Sequence, residues 1–186
     1  MARTPSNMLP LGTKAPDFSL FDTVSGQTLG LSEMKGRKGT VIMFICNHCP
    51  FVVHVNPQLA ELGRQYQEKG IGFIAISSND VENYPQDAPH LMTKTAQMEG
   101  YTFPYLYDES QETAKAYDAA CTPDFYLFDA QDALVYRGQL DDSRPGNGIP
   151  LSGDDLREAM DALLDGKDQT VDQKPSIGCN IKWKTA

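Results

Sequence analysis

The sequence predicts an α/β fold in which central strands are covered by helices on both faces. Three observations carry this reading. Apolar runs alternate with helical patterns along the chain. Two of the runs, Val41-Ile42-Met43-Phe44-Ile45 and Ile71-Gly72-Phe73-Ile74-Ala75-Ile76, are short, β-branched and aromatic, and bounded by glycine or polar residues, as buried strands are. Between them Val52, Val55, Leu59, Leu62 and Tyr66 recur at steps of three and four, the spacing of one helix face. A length of 186 residues fits one domain that can bury a core without crosslinks.

The helix between those strands ends near Lys69-Gly70 and contains Pro57, which predicts a kink, because the apolar stripe stays in phase on both sides. Residues 78–100 are polar and proline-containing at first and helical from about Ala88, the pattern of a surface insertion, with His90 on its surface. Glu109 and Glu112 suit the first turn of a helix running to Ala120. Phe125-Tyr126-Leu127-Phe128 and Ala133-Leu134-Val135-Tyr136, separated by four polar or small residues, predict a β-hairpin. Asp141, Asp142 and Arg144 follow it in a charged loop that reads as a solvated turn. Ser152 and Asp155 have capping-box spacing and predict a last helix with Leu156, Met160, Leu163 and Leu164 toward the core, stopped by Gly166. The tail from Lys167 holds the only tryptophan, Trp183, which predicts that it docks on the rest of the chain.

Composition excludes several classes of partner. Sixteen basic against 25 acidic residues leave a net charge of -9, which repels phosphate backbones and anionic lipid, so neither nucleic acid nor membrane is expected as a partner. The first sixteen residues lack an apolar run long enough for a signal-peptide core or a membrane span, which predicts a cytoplasmic protein. Four cysteines are too few for a secreted disulfide scaffold, and in a reducing compartment a close pair is more often catalytic or metal-binding.

That pair is Cys46 and Cys49, in Phe44-Ile45-Cys46-Asn47-His48-Cys49-Pro50, where the chain leaves a buried strand and enters a helix. Unpaired N–H groups and the positive end of the helix dipole then point at the sulfurs and favour thiolate. Pro50 suits the first helical turn. A two-residue spacer lets the sulfurs meet, so they can cycle between dithiol and disulfide. A structural zinc site would need two more ligands, but Cys121 and Cys179 are far off in sequence and His54 is awkwardly placed on the helix, so no metal and no cofactor is expected.

Cys121-Thr122-Pro123, just before the hairpin, is the second anchor. Here the chain resembles the thioredoxin-like superfamily, in which a Thr-Pro pair with a cis peptide bond faces the CxxC. Leu11-Gly12-Thr13-Lys14-Ala15-Pro16-Asp17-Phe18-Ser19-Leu20, Leu31-Ser32-Glu33-Met34-Lys35-Gly36 and Tyr136-Arg137-Gly138 are similar to the redoxin branch, which includes the alkyl hydroperoxide reductase/thiol-specific antioxidant family. With Cys-Asn-His-Cys-Pro-Phe-Val and the terminal Ile-Gly-Cys-Asn-Ile-Lys-Trp, the pattern looks most like a peroxiredoxin-like subgroup. The resemblance covers residues 9–166, with 167–186 as a docked tail, and implies a thioredoxin-like fold: a central mixed sheet flanked by helices with an N-terminal β-hairpin extension.

The resemblance implies two activities, and residue identity separates them. Peroxiredoxins carry Pro-x-x-x-Thr-x-x-Cys; laid on Cys49-Pro50, that motif puts Cys46 at the Thr and Ile42 at the Pro, while Pro123 falls where the peroxide-activating Arg belongs. Those groups hold the peroxide and stabilise its developing charge. The CxxC with Thr122-Pro123 matches disulfide exchange, so the expected function is thiol-disulfide oxidoreductase acting on protein or small-molecule disulfides. Its alternatives are an antioxidant thiol peroxidase with Cys49 attacking peroxides, or a non-enzymatic binding module. The thioredoxin resemblance implies Cys46 as the attacking sulfur and Cys49 as the resolving one, and the strand-turn-helix placement predicts Cys46 as the more exposed and more acidic thiol. His48, like the histidine of protein disulfide isomerase, favours the thiolate. Thr122 and Pro123 would receive substrate. Cys121 and Cys179 are candidate accessory thiols that could pair with each other.

Overall fold

The computed structural model describes residues 3–169 and 172–185. In chain order the elements are β1 (Arg3–Pro5), β2 (Ser19–Asp22), β3 (Thr28–Gly30), α1 (Leu31–Met34), β4 (Gly39–Phe44), α2 (Pro50–Gln67), β5 (Ile71–Ser77), a 3-10 turn (Pro85–Asp87), α3 (Pro89–Glu99), β6 (Tyr105–Tyr107), α4 (Glu112–Ala116), β7 (Cys121–Thr122), β8 (Asp124–Asp129), β9 (Leu134–Gly138), α5 (Asp154–Leu164) and β10 (Ile177–Asn180). Seven strands form a sheet in the order β3-β2-β6-β5-β4-β8-β9. Strands β4, β5 and β6 run parallel, while β8 joins β4, and β2 joins β6, antiparallel, so the sheet is mixed. The expected N-terminal hairpin is β2–β3, extending the sheet beyond β6.

Successive residues of a strand face opposite sides, and the core divides accordingly. Val41, Met43 and Ile45 meet Val52, Val55, Leu59 and Leu62 of α2 and Leu156 and Met160 of α5. Ile42 and Phe44 meet Phe18, Leu31 and Tyr117 on the other face. Helix α2 continues through Pro57. Its freed carbonyl is that of Val53, whose side chain is exposed on the solvent side of the helix. Among the described residues no helix is long and apolar enough to cross a membrane.

Five sequence expectations need correction. Helix α4 stops at Ala116, not Ala120, because Asp118 takes a left-handed turn (φ 49°). The last helix is not capped by Ser152: Gly153 is the capping residue, and buried Asp141 accepts the Ser152 and Gly153 N–H groups from outside the helix. That makes Asp141 a structural staple, not part of a solvated turn. The stretch after β5 lies only partly on the surface: Ser78, Asn79, Asp80 and Asp87 are buried, while Glu82, Asn83, Pro85, Gln86 and His90 are exposed as expected. The tail does dock, but through Gly178, Cys179, Ile181 and Lys182, while Trp183 stays 40% exposed. It forms β10, which lies between β1 and β7 in a small antiparallel sheet.

Behind β7 lies a fully buried ion pair, Arg137 Nη2 to Asp124 Oδ2 at 3.0 Å, with the guanidinium 4.3 Å from the Tyr126 ring centre. Burial pushes the Asp124 carboxyl up to about 7 against the pull of Arg137. Removing one partner strands the other charge, so Arg137→Met should lower the unfolding free energy by about 3–5 kcal/mol. A raised carboxyl pKa destabilises the fold increasingly as pH climbs past the unfolded value, so the loss should be greater above neutrality than at mildly acidic pH. Denaturant midpoints at the two pH values check both statements, and a loss below about 1 kcal/mol would show that the pair is dispensable.

Candidate active site

The carboxyl end of β4 places Cys46 in the turn and makes Cys49 the residue that caps α2, with Pro50 at the first helical position. The carbonyl of Cys49 accepts the Val52 and Val53 N–H groups, each at 2.9 Å, which fixes the turn against the helix start. Both sulfurs face the Thr122–Pro123 peptide, which is cis as expected. Cys46 Sγ lies 3.4 Å from Thr122 Oγ1, and Cys49 Sγ lies 3.3 Å from the Thr122 carbonyl oxygen. Thr122 thus holds both members of the pair.

A third sulfur joins them: Cys179 Sγ is 2.7 Å from Cys49 Sγ. The register of β10 on β7 explains why. Cys179 stands opposite Thr122 and Asn180 opposite Cys121. Cross-strand partners share a face and successive residues alternate, so Cys179 faces the thiol pair and Cys121 points to the other side. Cys121 and Cys179 are therefore not partners. The Cys121 sulfur is near the Pro123 and Ser176 carbonyls instead, and burial followed by the Asp124 charge raises its pKa.

Sequence reasoning missed Asp87. Its fully buried carboxylate accepts the Asn47 N–H at 2.8 Å and the Asn79 side-chain amide at 2.8 Å. His48 Nδ1 lies 2.6 Å from it, short in distance but out of line for a hydrogen bond, and the ring stacks on Tyr84. Asn79 in turn accepts the Lys182 N–H, tying the tail to the same network. No local pattern marks Asp87, which looks like one more acid in a polar stretch. The other candidate ligand, His54, is hydrogen-bonded to Ser143 Oγ at 2.7 Å.

The charge distribution reverses the expected order of acidity. Cys49 is lowered to about 5, chiefly by the hydrogen bond from Cys46 and, against the cost of burial, by those from Cys179 and the Val52 N–H. Cys46 is raised well above the ordinary thiol value by holding the shared proton toward Cys49, by burial and by the Asp87 charge. The thiolate rests on Cys49, the residue at the helix N-terminus. Cys46, His48 and Asp87 place one donor atom each within 4.8 Å of one another, a set that could hold a metal ion. In this arrangement, however, both Asp87 oxygens are already engaged by Asn47, Asn79 and His48.

A profile of the Redoxin family matches residues 10–150. The solved structure of an uncharacterized conserved protein from Geobacillus kaustophilus is 58% identical, with a TM-score of 0.98 over 100% of this chain and 98% of that one. The thiol-disulfide oxidoreductase ResA of Halalkalibacterium halodurans is 27% identical over 124 residues, 67% of this chain and 65% of that protein. The chain thus spans about two thirds of the length of that relative. The thioredoxin domain of a thiol-disulfide oxidoreductase from Bacteroides vulgatus, 18% identical, superposes with a TM-score of 0.57 over 74% of this chain and 91% of that one. At that identity the likeness concerns the fold alone, which is thioredoxin-like.

Proposed function

This chain belongs to the Redoxin family, and on that premise we propose that it is a thiol-disulfide oxidoreductase that cycles Cys46 and Cys49 between dithiol and disulfide. The observation that carries the reading is the placement of both sulfurs on Thr122, with the negative charge on the helix-capping member. The name of the ResA relative supports the same chemistry.

The cycle follows from the charges. The Cys49 thiolate attacks one sulfur of a client disulfide, the client S–S bond breaks, and the other client sulfur leaves as a thiolate. That thiolate takes the proton of Cys46, which no longer has a Cys49 thiolate to donate to. Cys46 then attacks Cys49 Sγ, releasing the second client thiolate and closing the Cys46–Cys49 disulfide; the client gains two electrons and the pair loses them. These roles exchange the ones that the thioredoxin resemblance implied. Asp87 and His48 hold the turn, the first by its bond to the Asn47 N–H.

Protons test the reading. With Cys49 already ionised, reduction of the disulfide binds one proton per two electrons, so its potential should fall by about 30 mV per pH unit between about pH 5 and 9. Below about 5 the slope should steepen to about 59 mV, because Cys49 then takes a proton too. The steeper slope persisting to pH 9 would remove the charge from Cys49. Thiol counts before and after dithiothreitol, with turnover of a small disulfide, check the cycle itself. A pair that never cycles would leave a binding module.

One observation favours the peroxidase reading: the thiolate sits on Cys49, where peroxiredoxins carry theirs. The arginine that such chemistry needs is not supplied by the hairpin region. Arg137 is fully buried with its Nη2 held by Asp124 and the Asp118 carbonyl, and Arg144 is engaged by Gln139 and the Asp141 and Ser143 carbonyls.

A further inference from the structure

The C-terminal strand offers its cysteine to the same sulfur that Cys46 does. We propose that Cys179 is a third redox thiol that shares Cys49 with Cys46, so that a disulfide formed at the CxxC pair can pass to the C-terminal strand. The inference rests on the proposed redox role of Cys49.

The geometry is built, not incidental. Cys179 Sγ lies 2.7 Å from Cys49 Sγ, and its strand is held on both edges, by β1 through the pair Arg3 and Cys179 and by β7 through the pair Cys179 and Thr122. Beyond Cys179 the chain is fixed again. Asn79 accepts the Lys182 N–H, the Gln111 side chain donates to the Lys182 carbonyl, and it accepts the Lys184 N–H. Before it, Ser176 Oγ donates to the Pro123 carbonyl at 2.6 Å. The strand lies along the backbone of Cys121 and Thr122, the edge beside the thiols that an extended client would need for its own main-chain hydrogen bonds. The tail thus stands where a client strand would, with a cysteine at the position that meets Cys49.

The exchange balances without an outside reagent. The Cys179 thiolate attacks Cys49 Sγ, the Cys49–Cys179 bond forms as the Cys46–Cys49 bond breaks, and the electron pair leaves on Cys46. In the reduced site burial, and the hydrogen bond and charge of Cys49, hold Cys179 up to about 12. Closing the Cys46–Cys49 disulfide removes the charge, while Lys182 still favours the Cys179 thiolate.

Tryptic mapping separates the products. Cys46 and Cys49 fall together in peptide 39–64, Cys121 in 116–137 and Cys179 in 168–182. A Cys46–Cys49 bond is a loop inside the first peptide, and a Cys49–Cys179 bond joins the first to the third. Cys46→Ser oxidised with diamide should give the joined peptides as its main product; alkylated Cys49, or a Cys49-linked dimer, would overturn the proposal. Cys46→Ala gives the same reading if the serine variant does not fold. Wild-type protein treated with one equivalent of diamide and equilibrated at mildly alkaline pH should contain both the loop and the joined pair, and the loop alone would also overturn it. Cys179→Ser should lose the joined pair and keep the loop. Because diamide oxidises stoichiometrically, absence of the joined peptides is distinct from failure of the oxidoreductase reading, which shows as absence of small-disulfide turnover.

Discussion

Gly178→Val is expected to detach the C-terminal strand and dismantle one side of the thiol site. A Cβ at this position would lie 1.9 Å from the Thr122 carbonyl oxygen and 2.5 Å from its carbon, both backbone atoms next to the cis bond. No rotamer relieves a clash between a Cβ and main chain, so β10 must leave β7. Overpacking of this kind costs about 1–3 kcal/mol or more. With the strand go the Cys179 donor to Cys49 and the Lys182 bond to Asn79. The Cys49 thiolate then loses one of the groups that lower its pKa, so its titration should move upward. Trypsin should cut rapidly after Lys182 in the variant and slowly in wild type, and a shift in Trp183 emission should accompany the change. Unaltered protection of the tail would mean that the close approach of Gly178 to Thr122 does not govern docking.

Cys49→Ser is expected to abolish disulfide exchange, with the largest effect at mildly acidic pH. At about pH 6 a thiol with a pKa near 5 is roughly 90% ionised and an ordinary one well under 1%. Its lower nucleophilicity takes back part of that advantage, leaving a net gain of roughly tenfold over an ordinary accessible thiol. Cys46, held above the ordinary value, cannot substitute, so the initial rate should fall by at least about tenfold. Cys46→Ser should still release the first client thiol. Iodoacetamide at the same pH should label Cys49 before Cys46; the opposite order would restore the roles implied by the thioredoxin resemblance. Hydrogen peroxide supplies the contrast. With Ile42, Cys46 and Pro123 where peroxidases carry Pro, Thr and Arg, peroxide should react at the pace of an ordinary thiolate. Fast peroxide consumption by Cys46→Ser, with a sulfenic acid trapped on Cys49, would make the chain a peroxidase.

Much of the fold is legible because it follows from local pattern. The β4 and β5 runs, the α2 stripe and the hairpin each declare themselves within a few residues, and their burial agrees with the buried runs and the helix face read from the sequence. The pair itself is legible for the same reason: a CxxC between a buried strand and a helix has its setting written on both sides of it. The misreadings fall where a distant partner overrides the local signal. Ser152 has the spacing of a cap, but Gly153 takes the capping position and buried Asp141 holds the Ser152 and Gly153 N–H groups just before the helix. Ser78, Asn79 and Asp87 are polar enough for a surface, but their polar groups are satisfied by Asp108, Gln111, Lys182 and Asn47, so they can be buried.

The sequence by itself determined the strand-turn-helix that presents Cys46 and Cys49, and its resemblance to the thioredoxin-like superfamily pointed to the Thr122-Pro123 step that faces them. It could not determine which thiol bears the charge or which further residues belong to the site. Acidity depends on who donates to which sulfur, and the donors to Cys49 come from Cys46, from the start of α2 and from Cys179 on a strand at the far end of the chain. Asp87 and Cys179 reach the pair only because the polar stretch after β5 and the tail are both drawn in over the carboxyl end of the sheet. Cys179, rather than Cys121, meets Cys49 through the register of β10 on β7, and a slip of one residue would turn its sulfur to the opposite face. Register between strands far apart in sequence is set by packing and by the Gly178 contact with Thr122, which is why tertiary structure decided it.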